Sequence, residues 1–217
     1  MSVRRAFALC ALSGALLTAC STGALFDSDT PVPTSYVLAP APPAQNPGTP
    51  IPVDVSVSRP DLASGLDTDR IAVLKGRQLD YYRGVRWGSR ALEVVQNLVV
   101  DSLHEQQLFR SVTPEQSRVA GDYVLDLYVR DFQAEYAPRD GAPTIHVAMI
   151  GRLIRVSDRK LVATVSANAR AEAAADRMSA VAAAFERAAH EAILDLGRQT
   201  AAAITQNRSA LAATRGD

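Results

Sequence analysis

The stretch Asp122–Tyr136, DYVLDLYVRDFQAEY, decides how the chain folds. Tyr123, Leu125, Leu127 and Val129 place apolar side chains at odd positions; Phe132, Ala134 and Tyr136 place them at even ones. A period of two marks a strand with one buried face. A strand that changes parity and keeps that face buried needs one extra residue, so the pattern predicts a bulge near Arg130-Asp131. The next residues, APRDGAP at 137–143, have the chemistry of a hairpin tip. Residues 144–157 read as the return strand, apolar on both faces in places. Ser157-Asp158-Arg159-Lys160 forms a second turn, after which Leu161, Ala163, Val165 and Ala167 share one face of a further strand.

Upstream, SYVLA at 35–39 reads as a first short strand and 40–50 as a loop. Ile51, Val53, Val55 and Val57 alternate with polar residues and Pro52, which limits its end of the strand to a sheet edge or a strand start. RIAVL (70–74) and QLDYY (78–82) flank Lys75-Gly76-Arg77, a hairpin turn. A helix follows Gly88, with Ser89 as its N-cap. Leu92, Val95, Val99 and Leu103 form its apolar stripe, Glu93, Asn97, Asp101 and His104 its polar face, and it ends near Leu108. A second helix carries Met178, Val181, Phe185, Ala189, Ala192, Ile193, Leu196, Thr200, Ala203 and Ile204 at helical spacing; its alanines favour helix. The expected fold class is α+β: a single two-layer domain over 35–206, a mainly antiparallel sheet with two helices packed on one face. Residues 207–217 are expected to fray.

The N-terminus has a separate logic. Arg4 and Arg5 precede an apolar run from Ala6 to Leu17, the size of a secretory signal core and short of the roughly 20 residues that span a bilayer. Leu17-Thr18-Ala19-Cys20 then fits the bacterial lipobox. On that pattern residues 1–19 are a lipoprotein signal peptide, and Cys20 becomes the first mature residue. It carries a thioether diacylglycerol and an N-acyl chain; a plain signal peptide with an incidental cysteine is the competing reading. Each buried methylene is worth about 0.8 kcal/mol, so two or three chains make a lasting anchor. Ser21, where an aspartate would favour retention in the inner membrane, directs the protein to the outer membrane, facing the periplasm. Residues 20–34 form a flexible tether, and 21–52 hold eight of the twelve prolines. The other cysteine, Cys10, lies in the removed segment, so no disulfide, thiolate metal site or cysteine nucleophile is expected.

Charge narrows the partners. Lys plus Arg equals Asp plus Glu at 23 each, which lacks the basic excess of a nucleic-acid binder. No phosphate loop, G-x-S-x-G or H-E-x-x-H is present. His104 and His190 sit on polar helix faces and read as solvated; His146 lies in a strand, where it can pair across the sheet. No cofactor, metal site or enzymatic activity is expected. The most distinctive segment is LDYYRGVRWGSRAL (79–92), with Tyr81, Tyr82, Arg83, Arg86 and Trp87. It reads either as an aromatic corner packed under a helix or as a partner-binding surface rich in hot-spot residues.

These features together resemble the ABC-type transport auxiliary lipoprotein family. The likeness rests on the lipobox at Cys20, SYVLAP (35–40), SRPDL (58–62), RGVRWGSRAL (83–92) with Arg86-Trp87 before the first helix, the strand 122–136 and the closing alanine-rich helix. The family often follows its Trp with an acidic residue, Pro and Leu, where Ser89-Arg90 stand here. The resemblance implies an accessory at the outer-membrane end of a transporter that moves lipids or hydrophobic compounds between membranes. Its partners would be an ABC permease and ATPase and a mammalian-cell-entry substrate-binding protein, with a homo-oligomer left open. A docking adaptor is the first reading. A carrier holding lipid between sheet and helices, or a regulator of envelope synthesis, are the alternatives.

Overall fold

The structure is a computed structural model and describes residues 32–119, 121–137 and 141–215. The signal segment, Cys20, Ser21 and the tether as far as residue 31 lie outside the described residues, as do 138–140 of the expected hairpin tip.

The folded unit from Pro33 onward is one α+β domain whose strands form a mixed, open sheet. Its strands are β1 (Thr34–Tyr36), β2 (Ile51–Val57), β3 (Asp61–Leu62), β4 (Arg70–Lys75), β5 (Gln78–Trp87), β6 (Phe109–Pro114), β7 (Tyr123–Tyr136), β8 (Thr144–Arg155) and β9 (Lys160–Glu172). Helix α1 (Ala91–Glu105) lies between β5 and β6, and α2 (Met178–Arg215) closes the chain.

β7 is the spine. One edge pairs with β8 along nearly all its length, and β9 follows beyond β8, both antiparallel. Its other edge is shared in succession by β2, β3 and β4, all parallel to it. β6 lies outside β2, and β5 and then β1 lie outside β4. The expected bulge is present: the register passes from Val129↔Met149 to Asp131↔Ala148 and skips Arg130. Leu125, Leu127 and Val129 before it, and Phe132 and Ala134 after it, are all buried.

A second bulge was not legible beforehand. β5 does not stop at Tyr82 but runs to Trp87, and its register with β4 shifts between Ala72↔Tyr81 and Arg70↔Arg86. Gly84, at φ +68°, takes the left-handed backbone that this shift needs.

Several boundaries differ from expectation. The first strand is three residues, Thr34–Tyr36. Ser89 is not the N-cap of α1; Arg90 is, with extended backbone and no side-chain cap. The first amide of the helix, on Ala91, donates instead to the carbonyl of Thr68 at 2.9 Å, and the Arg90 guanidinium pairs with Asp67. α2 continues through residues expected to fray, as far as Arg215. Asn207 explains part of this: its Oδ1 accepts from Tyr123 Oη at 3.2 Å and Arg155 Nη1 at 2.9 Å, while Arg208 donates to the Pro52 carbonyl at 3.2 Å. Pro52 itself sits at the start of β2, where the register with β6 is irregular. Two residues on, Asp54 accepts from Arg110 Nε at 2.9 Å and Ser111 Oγ at 2.7 Å, contacts that hold its carboxyl down at about 2.

α2 lies over β8 and β9, α1 lies against β6 and β2, and the helices touch each other. The core between sheet and helices centres on Trp87 of β5, Phe132 of β7 and Phe185 of α2, with ring centroids 5.1 to 5.6 Å apart. Glycine makes the closest approaches. A Cβ on Gly151 of β8 would stand 2.8 Å from Leu125 Cδ1 and 3.3 Å from Leu196 Cδ1, and one on Gly197 of α2 would stand 2.6 Å from Leu103 Cδ2 of α1.

Truncating Phe185 to Ala removes one corner of the aromatic trio. Urea unfolding should show a loss of about 3–5 kcal/mol. Leu161→Ala, at a side chain exposed to 59%, should stay within about 0.5 kcal/mol of the parent.

Candidate functional site

Beyond the N-terminal end of α2, the helix-side face of the β5–β4–β7 corner stays open. The register sets Val73 opposite both Asp80 and Ala134, and Lys75 opposite Tyr136. Side chains two apart along a strand share a face, so Lys75, Tyr82 and Tyr136 converge there. They line a cleft of about 950 Å³, together with Tyr81, Arg83 and Asp176.

Tyr82 Oη and Tyr136 Oη lie 3.0 Å apart, and Tyr136 Oη donates to Asp176 Oδ1 at 2.6 Å. Because Tyr136 gives its proton to the carboxylate, Tyr82 is the donor to Tyr136. Burial, and then the bond to Tyr136, raise the Tyr82 phenol well above its ordinary value. Burial, and then Asp176, raise Tyr136. The Lys75 ammonium stands 5.5 Å from the Tyr136 ring centroid. The Arg70 guanidinium sits 4.0 Å over Tyr81, whose hydroxyl donates to the Gly65 carbonyl at 2.8 Å. The cleft thus offers aromatic surface and cations. Among the described residues neither histidine nor cysteine lines it, and both phenol protons have acceptors. Among the described residues no group of His, Cys, Asp and Glu is arranged to hold a metal ion.

The five residues singled out in 79–92 separate. Tyr81, Tyr82 and Arg83 line the cleft. Arg86 does not; it lies 3.7 Å from Asp69, and its Nε donates to Ser35 Oγ at 3.3 Å. Trp87 is 1% exposed, so packing is its part and it offers no surface to a partner. Lys75, Tyr136 and Asp176 were missed. The parity change in β7 had already put Tyr136 on the inner face, so that residue was within reach of the sequence. Asp176 was not, because it lies between β9 and α2.

The histidines also separate. His104 is exposed. His146 is buried on the sheet face away from the helices, with Nδ1 3.0 Å from Glu135 Oε1 and Nε2 3.0 Å from Asn168 Oδ1. It pairs across strands, as its position suggested. His190 is not simply solvated: its Nε2 donates to the Ala39 carbonyl at 2.8 Å, while Glu186, one turn earlier, accepts from the Ala39 amide at 2.9 Å. Two side chains of α2 therefore grip both backbone groups of one residue in the incoming chain. Ser102 Oγ accepts from the Ala41 amide at 2.9 Å and continues the seam onto α1.

Removing the grip with Glu186→Ala and His190→Ala should speed hydrogen exchange at the Ala39 amide by about tenfold or more while leaving the β7–β8 amides unchanged. The phenols give an independent test. Their raised values mean that the folded state holds protons the unfolded chain has lost, so stability is full below pH about 10 and falls as pH rises beyond it. Tyr82→Phe should make that alkaline fall shallower, as read from thermal midpoints between about pH 9 and 12.

The chain matches no curated protein. It is similar in structure to protein XCC0632 from Xanthomonas campestris, a DUF330 protein, with 26% identity and a TM-score of 0.71 over 81% of this chain and 99% of that one. An uncharacterised protein of known structure has the same fold at 14% identity and a TM-score of 0.58, over 77% of this chain and 98% of that one. The family model for the ABC-type transport auxiliary lipoprotein component matches residues 36–196, from the end of β1 well into α2, and the chain belongs to that family.

Proposed function

We propose that the protein is a non-enzymatic docking adaptor, anchored by lipid on Cys20 to the periplasmic face of the outer membrane. There it engages the periplasmic component of an ABC-type transport system that moves lipids or other hydrophobic compounds. The family match over 36–196 carries this reading. The cleft supports it as a docking surface: it is open, aromatic and cationic at Lys75 and Arg83, and its phenols serve as structure rather than as acids or bases.

The carrier alternative needs an apolar cavity between sheet and helices. That space is filled by Trp87, Phe132 and Phe185, and Gly151 and Gly197 draw the helices in further. The aromatic side chains that occupy this space favour the adaptor.

Purification of the full-length protein from membranes, followed by mass spectrometry, tests the reading. Expected are acyl mass on Cys20 and co-purification of a permease, an ATPase and a mammalian-cell-entry protein. Cys20→Ala should abolish the membrane association. A mature chain released with a bare thiol, or purified without any transporter subunit, would refute it.

A further inference from the structure

Among the described residues, part of one edge of β5 is unfilled. Its inner edge pairs with β4, but β1 covers the outer edge only at Val85–Trp87. From Gln78 to Arg83 no strand of the described residues lies beside it. Lys75↔Gln78 closes a two-residue turn, Gly76-Arg77. In such a hairpin the flanking pair exchanges both backbone bonds and the pattern then alternates. Gln78 and Asp80 therefore face β4, and Leu79 and Tyr81, ahead of the register shift, turn their amides and carbonyls outward. One bond bears this out: the Tyr81 amide donates to Oδ1 of Asp80 at 2.8 Å, a local side-chain substitute for a missing strand.

No strand among the described residues fills the gap. β1 runs parallel to β5, and extending it backward along Arg83 would begin with Pro33, which has no N–H to give. Charge then indicates what would fill it. Lys75, Arg77 and Arg83 have no carboxylate within 4.0 Å among the described residues. Asp80, the acidic residue of the edge, is engaged with the Tyr81 amide. A second copy of this chain would bring the same cations to the same edge and be repelled. An acidic strand would be drawn in.

We propose that the outer edge of β5 at Leu79–Tyr81 is a strand-addition site for an acidic, extended segment of a partner protein. The segment occupies the gap between β1 and the hairpin turn. Its backbone pairs with Leu79 and Tyr81, and its carboxylates meet Lys75, Arg77 and Arg83. Asp80 releases the Tyr81 amide as it docks. Main-chain bonds of this kind supply affinity, and the flanking side chains supply selectivity. The short edge and the Asp80 contact discourage indiscriminate pairing. The inference rests on the adaptor reading and names what the transporter component presents.

The experiment uses the full-length lipoprotein in detergent and the periplasmic domain of its cognate mammalian-cell-entry protein. Hydrogen exchange is followed amide by amide, and affinity is measured across a salt series. Expected on complex formation is slowing of about tenfold or more at the Leu79 amide. Affinity should fall by about tenfold or more with Arg77→Glu and Arg83→Glu, and likewise for the parent protein at high salt. Both arginines are exposed, so the variants should keep the parent melting temperature; should they not, the salt series on the parent protein decides. A complex that forms with the Leu79 amide unaltered, or with no salt sensitivity, overturns the strand-addition site and leaves the adaptor standing. Absence of any complex with the parent protein overturns both.

Discussion

β7 gives one edge to β8 and divides the other among β2, β3 and β4, so four strands take their position from it. Its inner face must therefore stay buried over fourteen residues. Each large apolar side chain kept from water there is worth about 1.5–3 kcal/mol, and a slip of one residue would turn all of them outward. The bulge at Arg130 reconciles that demand with the sequence. Without it Phe132 would leave the contacts it makes with Trp87 and Phe185, and the sheet would lose its junction with α2. The same register also places Tyr136 opposite Lys75, so the cleft inherits its geometry from the bulge.

The helix layer depends on closeness rather than bulk. α2 presents Ala184, Ala188, Ala189 and Ala192 to the core, all buried. Small side chains let its axis settle onto β8 and β9, where Gly151 leaves room for Leu196, and Gly197 leaves room for Leu103 of α1. A domain filled in this way has its free chemistry at its rim. There, on the β4–β5 hairpin, cations without a carboxylate partner among the described residues, the cleft tyrosines and the open stretch of the β5 edge coincide.

Legibility followed locality. The β7 bulge could be read because side-chain parity is a property of consecutive residues. The two helices could be read because apolar spacing in Leu92, Val95, Val99 and Leu103, or in Val181 and Phe185, repeats within a turn or two. The second bulge could not. In YYRGVRW the aromatic and apolar residues 81, 82, 85 and 87 fall on both parities, and only the pairing of Tyr81 with Ala72 and Arg86 with Arg70 reveals that Gly84 resets the parity. Ser89 looked like a cap by residue type, but the Thr68 carbonyl supplies the acceptor through space. The parallel ladders of β2, β3 and β4 on β7 were equally hidden, because distant segments meet there and no turn announces them. The cleft was half legible for the same reason: Tyr81, Tyr82 and Arg83 are neighbours in sequence, while Tyr136 and Asp176 arrive by folding.

The grip of Glu186 and His190 on Ala39 bears on how an anchored domain carries load. If Cys20 holds lipid, any pull from the membrane enters along the segment before β1. β1 alone would resist poorly, being three residues paired on one side. The backbone bonds at Ala39 and Ala41 lie farther along the chain and tie it to both helices. A pull must first strip β1 from Val85–Trp87 before it reaches them. That would lengthen the bare edge of β5 while Trp87, held by Phe132 and Phe185, keeps the strand itself in place. Stripping β1 would therefore expose more of the β5 edge before it threatens the core, and the helix seam sets where that exposure stops.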